Sequence, residues 1–493
     1  MTIKQSEIEK VNQYIAENQK NVDSKYRHHY HVMAPIGWIN DPNGFVFYQG
    51  EYHLFYQYHP YSSDWGPMHW GHSKSKDLVH WEDLPVALMP DQAYDKDGCF
   101  SGSAIEKDGK LYLMYTGHVI NDDVVFQTQC MAVSEDGIHF EKFENNPVIS
   151  AKQVESYGSI HDFRDPKIFQ HDDLYYSVIA TKSSENRGRI LLFSSIDLIS
   201  WQFVSILLEG DESQGIMWEC PDLFHLDGKD VLIMSPIQIQ KQGFEYHNIS
   251  STVAFIGQMD WQTGKLLVEN YHEIDFGMDF YAPQTLEDEQ GRRIMIAWMQ
   301  MWDRTRPTHD LGHQWSGAMT LPRELAIRDN FLVQSPSHFI YDNIKIQAQY
   351  QNIPLKAEPV VFSDLIDDAT YLKIVVDLRS AQQLEIRYAQ HLESALILQY
   401  NVDSQCFTFS RANFGHLISG NEPELLVERS AEVLLKNQIL EIELFRDTSS
   451  IELFINGQVT MSNTFYEHEK GKDLIFSVEG EANILELISG NIN

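Results

Sequence analysis

Cysteine is scarce in this sequence. Only Cys99, Cys130, Cys220 and Cys406 occur in 493 residues, and no two form a C-x-x-C pair. That excludes a disulfide framework and a cysteine zinc cage. No run of about 18 apolar residues exists, so no membrane span is expected. Met1-Thr2-Ile3-Lys4-Gln5-Ser6-Glu7 lacks the apolar stretch of a secretory signal, so the expected location is the reducing cytoplasm. Positive charge is also short. Lys plus Arg number 37 against 71 Asp plus Glu, a formal net charge of −34. Such a surface repels phosphate backbones and anionic lipid, so neither nucleic acid nor membrane is an expected partner. A small or neutral substrate suits it, and a local basic pocket for a phosphate stays open. With 43% hydrophobic and 22% charged residues the chain is not disordered. At about 150 residues per domain it is too long for one ordinary domain.

What the chain does have is a repeat. The segments Asp41-Pro42-Asn43-Gly44, Ser101-Gly102-Ser103-Ala104, Asp165-Pro166-Lys167-Ile168, Cys220-Pro221-Asp222-Leu223 and Ala282-Pro283-Gln284-Thr285 align. Their second residues fall at 42, 102, 166, 221 and 283, and each is followed by a turn and an apolar strand. Lys107-Asp108-Gly109-Lys110 and Leu226-Asp227-Gly228-Lys229 are hairpin signals. A second marker keeps step: Ser75-Lys76-Asp77-Leu78-Val79-His80-Trp81, Ser134-Glu135-Asp136-Gly137-Ile138-His139-Phe140 and Ser195-Ile196-Asp197-Leu198-Ile199-Ser200-Trp201. Five units of about 60 residues, each with roughly four strands, predict a five-bladed β-propeller.

The flanks differ. Ile8, Val11, Tyr14 and Ile15 fall at helical spacing, predicting a short N-terminal helix within residues 1–29. The propeller is expected over 30–340 and a linker over 341–355. Residues 356–493 alternate as half-buried strands, among them Tyr371–Leu378, Gln383–Tyr388 and Ser450–Ile455, with a type I′ signal at Asn456-Gly457. They predict a β-sandwich, so the fold class is all-β. Shielding the propeller edge or forming a homodimer contact, and limiting access by long polymers, are the roles expected of this second part.

The innermost strand of each blade lines the central channel, so the repeat brings Asp41, Asp165 and Glu219 to one mouth. Clustered carboxylates repel, which raises at least one pKa and makes a purely structural role a weak explanation. Two carboxyls across a scissile bond are the apparatus of glycoside hydrolysis. Glu219, between Trp218 and Cys220-Pro221, is expected to be the acid, its pKa raised by an apolar setting. Asp41, among Asn40, Asn43 and Gly44, is expected to stay ionised as the nucleophile. Asp165 follows Arg164, which is expected to lower its pKa. Aromatic residues crowd the same segments, including Trp38, Trp65, Tyr281 and Trp298, and aromatic rings suit the C–H faces of sugars. Trp65, beside Gly66-Pro67, is the strongest substrate candidate. Cys220 is expected to be a small buried neighbour of Glu219, not a thiol nucleophile.

Trp38-Ile39-Asn40-Asp41-Pro42-Asn43-Gly44 resembles the signature of glycoside hydrolase family 32, the invertases and fructanases. Phe100-Ser101-Gly102-Ser103-Ala104, Phe163-Arg164-Asp165-Pro166, Trp218-Glu219-Cys220-Pro221-Asp222 and Tyr281-Ala282-Pro283-Gln284 are similar to its other blocks, in order. The resemblance implies a retaining β-fructofuranosidase. Asp41 would be the nucleophile, Glu219 the acid/base and Asp165 the transition-state stabiliser. Asn40, Gln57, Trp65, Ser101 and Arg164 match positions that contact the fructosyl unit, and Tyr281 and Trp298 are counted with them. It implies no metal and no cofactor. Sucrose, sucrose 6-phosphate and short fructo-oligosaccharides are the expected substrates. A transfructosylase, a non-catalytic fructan-binding protein and an inverting enzyme on a similar propeller are the alternatives.

Three clusters are ambiguous. His28, His29 and His31 suit packing or the rim better than a metal. Asp122-Asp123 reads as a solvated loop. Arg304, Arg306 and His309 are expected near the mouth, either to read a substrate phosphate or as rim salt bridges.

Overall fold

The computed structural model describes residues 3–492. Five four-stranded antiparallel sheets follow one another along the chain. Their first strands are Gly37–Tyr48, Gly98–Lys107, Arg164–His171, Met217–Leu226 and Tyr281–Glu287, and we call the sheets blades I to V. This is the five-bladed propeller that the repeat predicted. The ring closes where Trp315–Ser316 pairs in parallel with Gly37 and Trp38 of blade I.

The repeated motif has a local cause. Every first strand carries one extra residue relative to its neighbour, at the same level: between Ile39 and Pro42, Phe100 and Gly102, Arg164 and Lys167, Glu219 and Asp222, and Tyr281 and Gln284. These are β-bulges, which turn a side chain out of the regular alternation. Asp165, Cys220 and Ala282 take left-handed φ values of 64°, 49° and 51° there. The second marker is a turn between third and fourth strands. Asp77 Oδ1 accepts the N–H groups of Val79 and His80, and Asp197 Oδ1 those of Ile199 and Ser200. Trp81 and Trp201 each donate to the carbonyl of the leucine three residues before. The hairpin turns at Asp108-Gly109 and Asp227-Gly228 have φ above zero at both residues, as type I′ requires.

Just below the bulges a belt of buried polar residues links the inner strands. Gly102 N donates to Asn43 Oδ1 at 3.1 Å, and Ser103 Oγ donates to Pro166 O at 2.8 Å. Lys167 Nζ lies 2.9 Å from Asp222 Oδ2, which also accepts Thr285 N at 2.7 Å. Gln284 Nε2 returns to Gly102 O at 2.5 Å. Neighbouring blades from I to V are thereby linked in turn, and Gln284 ties blade V back to blade II.

The C-terminal part is a sandwich built on two long strands, Thr370–His391 and Asp473–Ile492. Thr370–Asp377 pairs with Ile439–Asp447 in one layer, and Gln383–His391 pairs with Ser394–Asn401 in the other. The two expected strands Tyr371–Leu378 and Gln383–Tyr388 are therefore one strand that changes layers, with register shifts at the bend. Leu372, Ile374, Leu384, Leu398 and Leu453 fill the space between layers. Ile344–Leu355, inside the segment expected to be a linker, is an edge strand on Asp473–Ile492. At Asn456-Gly457 both φ values are positive, as the turn signal required.

The helix Ile3–Asn18 lies on blade I, where Val11 is buried and Asn12 Oδ1 accepts Val86 N at 3.0 Å. Propeller and sandwich meet through buried ions. Arg323 Nη2 is 2.5 Å from Glu452 Oε2, and Arg429 Nη2 is 2.9 Å from Glu273 Oε2. Gly277 is required there, because a Cβ would lie 2.1 Å from Ser462 O. His31 sits 2.8 Å from both Asp447 and Glu452 of the sandwich, fully buried. Burial disfavours its charge, yet the hydrogen bonds to the two carboxylates raise its pKa to about 9. Neighbouring His28, bonded to Ser449 Oγ at 2.8 Å, is pushed by burial down to about 3. The histidine cluster is thus part of the contact between the two parts of the chain.

Candidate active site

The bulges of blades I, III and IV bring Asp41, Asp165 and Glu219 into one linked cluster. Cys220 joins two of them: its N–H donates to Asp165 Oδ2 at 3.0 Å and its Sγ lies 3.5 Å from Asp41 Oδ2. Arg164 joins the third to Asp165, with Nη2 3.0 Å from Glu219 Oε1 and Nε 3.9 Å from Asp165 Oδ2. Asp41 also accepts from Ser101 Oγ at 2.7 Å and Asn40 Nδ2 at 3.1 Å. The second oxygen of Glu219 accepts the Tyr281 hydroxyl at 2.5 Å. Five blades thus contribute to one centre.

The charges differ from those expected. Asp41 was read as kept ionised by its donors. Burial, helped by the charge of Glu219, instead raises its pKa against the Ser101 and Asn40 hydrogen bonds. Asp165 was read as lowered by Arg164. Burial raises it and outweighs that arginine, with the charges of Glu219 and Asp41 acting in the same direction as burial. Glu219 was read as sitting in an apolar setting, but it accepts hydrogen bonds from Arg164 and Tyr281. Asp41 and Asp165 therefore hold on to their protons more strongly than ordinary aspartates. Burial and the surrounding carboxylates push the Cys220 thiol well above its usual range, so it stays protonated and donates.

The other expected residues fall into two groups. Asn40 carries Asp41 and itself accepts Trp38 Nε1 at 2.7 Å. Gln57, buried, donates to Cys99 O at 3.0 Å on the wall between blades I and II. Trp65 stands at the rim with 45% of its surface exposed, its ring edge-on to Phe100. Trp298 is different. It is wholly buried, packed against Trp38 and Trp302 at centroid distances of 5.7 and 4.9 Å, so it exposes no surface in this structure. Tyr281 is also buried, and its hydroxyl reaches Glu219.

Sequence reasoning missed Thr116 and Gln127. Thr116 Oγ1 accepts Asp165 N at 3.0 Å, and Gln127 Oε1 accepts Phe163 N at 2.9 Å and Arg164 Nη1 at 3.4 Å. Both lie on the second and third strands of blade II, where the repeat has no marker.

Of the three basic residues expected near the mouth, Arg304 is unavailable. Its guanidinium is buried against Glu422, Met278 O, Asp279 and Asn248. Arg306 and His309 do reach the rim. Arg306 pairs with Asp64 at 2.7 Å and lies over the Trp38 ring at 5.1 Å, and His309 Nδ1 is 2.8 Å from Ser63 Oγ. Asp122 and Asp123 are exposed in a hairpin turn.

Two family models match the chain: the glycosyl hydrolases family 32 N-terminal domain over residues 31–336 and the family 32 C terminal over 343–489. The chain is 36% identical over 490 residues to the sucrose-6-phosphate hydrolase of Escherichia coli, covering 95% of each. The structure of a Bombyx mori GH32 beta-fructofuranosidase superposes with a TM-score of 0.84 at 33% identity, covering 99% of this chain and 98% of that one. The sucrose-6-phosphate hydrolase from Lactobacillus gasseri gives a TM-score of 0.86 at 29% identity, covering 98% and 96%.

Proposed function

The chain belongs to glycosyl hydrolase family 32, and from that premise we propose that it hydrolyses terminal β-fructofuranosyl units with retention, through a fructosyl-enzyme. The observation that carries this reading is the linkage of Asp41, Asp165 and Glu219 from three blades through Cys220 and Arg164.

In the first step an Asp41 oxygen attacks the anomeric carbon of the fructosyl unit. The bond from that carbon to the glycosidic oxygen breaks as Glu219 gives the oxygen its proton. Asp165 accepts hydrogen bonds from fructose hydroxyls, which strengthen as positive charge develops on the ring. In the second step Glu219, now ionised, takes a proton from water. The hydroxide forms the new bond and the ester to Asp41 breaks, restoring both carboxyls. Arg164 and Tyr281 hold Glu219 in place through both steps. Ser101 and Asn40 hold Asp41.

Sucrose 6-phosphate is the substrate we favour, because Arg306 and His309 stand at the rim of an otherwise acidic protein and the E. coli and L. gasseri relatives carry that activity in their names. Four unpaired cysteines and a phosphorylated substrate suit a cytoplasmic enzyme. No helix among the described residues is long and apolar enough to cross a membrane.

The test is the anomer of fructose released first from sucrose and its 6-phosphate, followed by NMR, with Asp41→Ala alongside. The β anomer from the wild type and loss of turnover in the variant are expected. Initial release of the α anomer, or full turnover by Asp41→Ala, overturns the mechanism.

A further inference from the structure

The loop that follows blade V does two things at once. On one side it builds the mouth: Trp302 packs on Trp38 at 5.9 Å, Arg306 covers the same ring, and His309 meets Ser63. Trp38 in turn holds Asn40, the neighbour of Asp41. On the other side the loop is stitched to the sandwich. Thr305 N donates to Ser419 O at 2.7 Å, Ser419 N to Thr305 Oγ1 at 3.0 Å, and Asn421 N to Asp303 O at 3.1 Å. Arg304 lies at the centre of this seam. Its Nε donates to Glu422 Oε1 at 2.8 Å, while its other nitrogens bond the carbonyl of Met278, Asp279 and Asn248. Asp279 is itself gripped from the sandwich by Arg411 Nη1 at 2.5 Å and Thr464 N at 2.9 Å.

We propose that the sandwich positions the mouth of the propeller through this seam, with Arg304 and Glu422 as positioning residues. The inference rests on reading that mouth as the active site. Asp41, Asp165 and Glu219 are anchored by the first strands of their blades and do not touch the seam. Loosening the seam therefore shifts the rim, where the remote part of a substrate rests, more than the reacting groups. Positioning lost at a distance is felt first as lost binding. A mere brace between two bodies would behave differently, since breaking it lowers stability without selecting KM. The pair Glu273–Arg429 supplies the comparison, because it joins the same two parts and contacts no residue of the loop 302–309.

The experiment measures kcat, KM and Tm of the full chain for Glu422→Ala, Arg304→Ala, their double variant, Glu422→Gln and Glu273→Gln, with sucrose and sucrose 6-phosphate. Each alanine variant is expected to raise KM about ten-fold while kcat changes less than about three-fold. The double variant is expected to be no worse than Arg304→Ala, because that variant already breaks the pair with Glu422. Glu422→Gln keeps an acceptor and restores most of the KM. Glu273→Gln lowers Tm and leaves KM unchanged. Unchanged KM in the alanine variants, or an equal rise in Glu273→Gln, overturns the proposal. If an alanine variant does not fold, Thr305→Val removes only the hydroxyl that takes Ser419 N, and the same two outcomes decide. Acrylamide quenching of tryptophan fluorescence needs no turnover. It is expected to increase in the seam variants and not in Glu273→Gln, and the reverse pattern counts against the seam. Absence of turnover by the wild type would overturn the functional reading alone.

Discussion

His31 makes the junction between propeller and sandwich sensitive to alkali. Its ring is fully buried between Asp447 and Glu452, and its pKa rises from 6.5 to about 9. A histidine whose folded pKa exceeds its unfolded value adds stability below the unfolded pKa and loses it as pH climbs through the folded one. With 1.36 kcal/mol per pKa unit, the charged ring contributes about 3 kcal/mol at pH 6, falling towards zero above about pH 9. His28 and the buried His53, His69 and His272 act in the other window. Their pKa values are lowered by burial, so they cost stability only below about pH 6.5. The perturbation is His31→Gln, which keeps a polar side chain but no charge. Urea unfolding of both proteins from pH 6 to pH 10 is the assay. The wild type should lose about 3 kcal/mol more than the variant across that range, so the two curves converge in alkali. Parallel curves would refute the assignment of the charge to His31.

Other perturbations test the site and the packing. Asp165→Asn removes a carboxylate whose ionised form the fold disfavours. It should raise Tm by about 2 °C at pH 7 and leave it unchanged at pH 4, where the cost is absent, while turnover falls about a thousand-fold. Calorimetry at the two pH values and a rate assay read both effects. Arg306→Ala should reduce kcat/KM for sucrose 6-phosphate about 30-fold, near 2 kcal/mol for a charged hydrogen bond, and change that for sucrose far less. Gly102→Ala would bring a Cβ to 1.9 Å from Met114 O, so blade II should lose about 3 kcal/mol or more, visible as a lowered urea midpoint.

The propeller and the convergence of its three carboxylates were legible because one local device repeats. A bulge needs a residue that tolerates left-handed or kinked backbone, followed by proline or glycine, and that requirement leaves the same short motif in five strands. Asp41, Asp165 and Glu219 sit beside those motifs and were found with them. What was illegible depends on neighbours in space. Trp298 resembles a sugar platform in sequence, yet Trp38 and Trp302 enclose it. Arg304 resembles a phosphate ligand until Glu422, 118 residues away, is known to hold it. The pKa directions of Asp41 and Asp165 turn on burial, which flanking residues do not report. In the sandwich, a polar stretch at residues 379–382 reads as a break between strands. It is instead the bend at which one strand passes between layers.

The buried belt of Asn43, Ser103, Lys167, Asp222 and Gln284 underlies the candidate site, and a site with such a floor would be a cul-de-sac. A cul-de-sac imposes traffic rules. Whatever is cleaved off first must back out through the doorway by which the substrate came, and only then is there room for water to follow. On the proposed mechanism an alcohol held at that doorway would compete with water for the same vacancy, so the balance between hydrolysis and sugar transfer would be decided at the entrance, not at the three carboxylates.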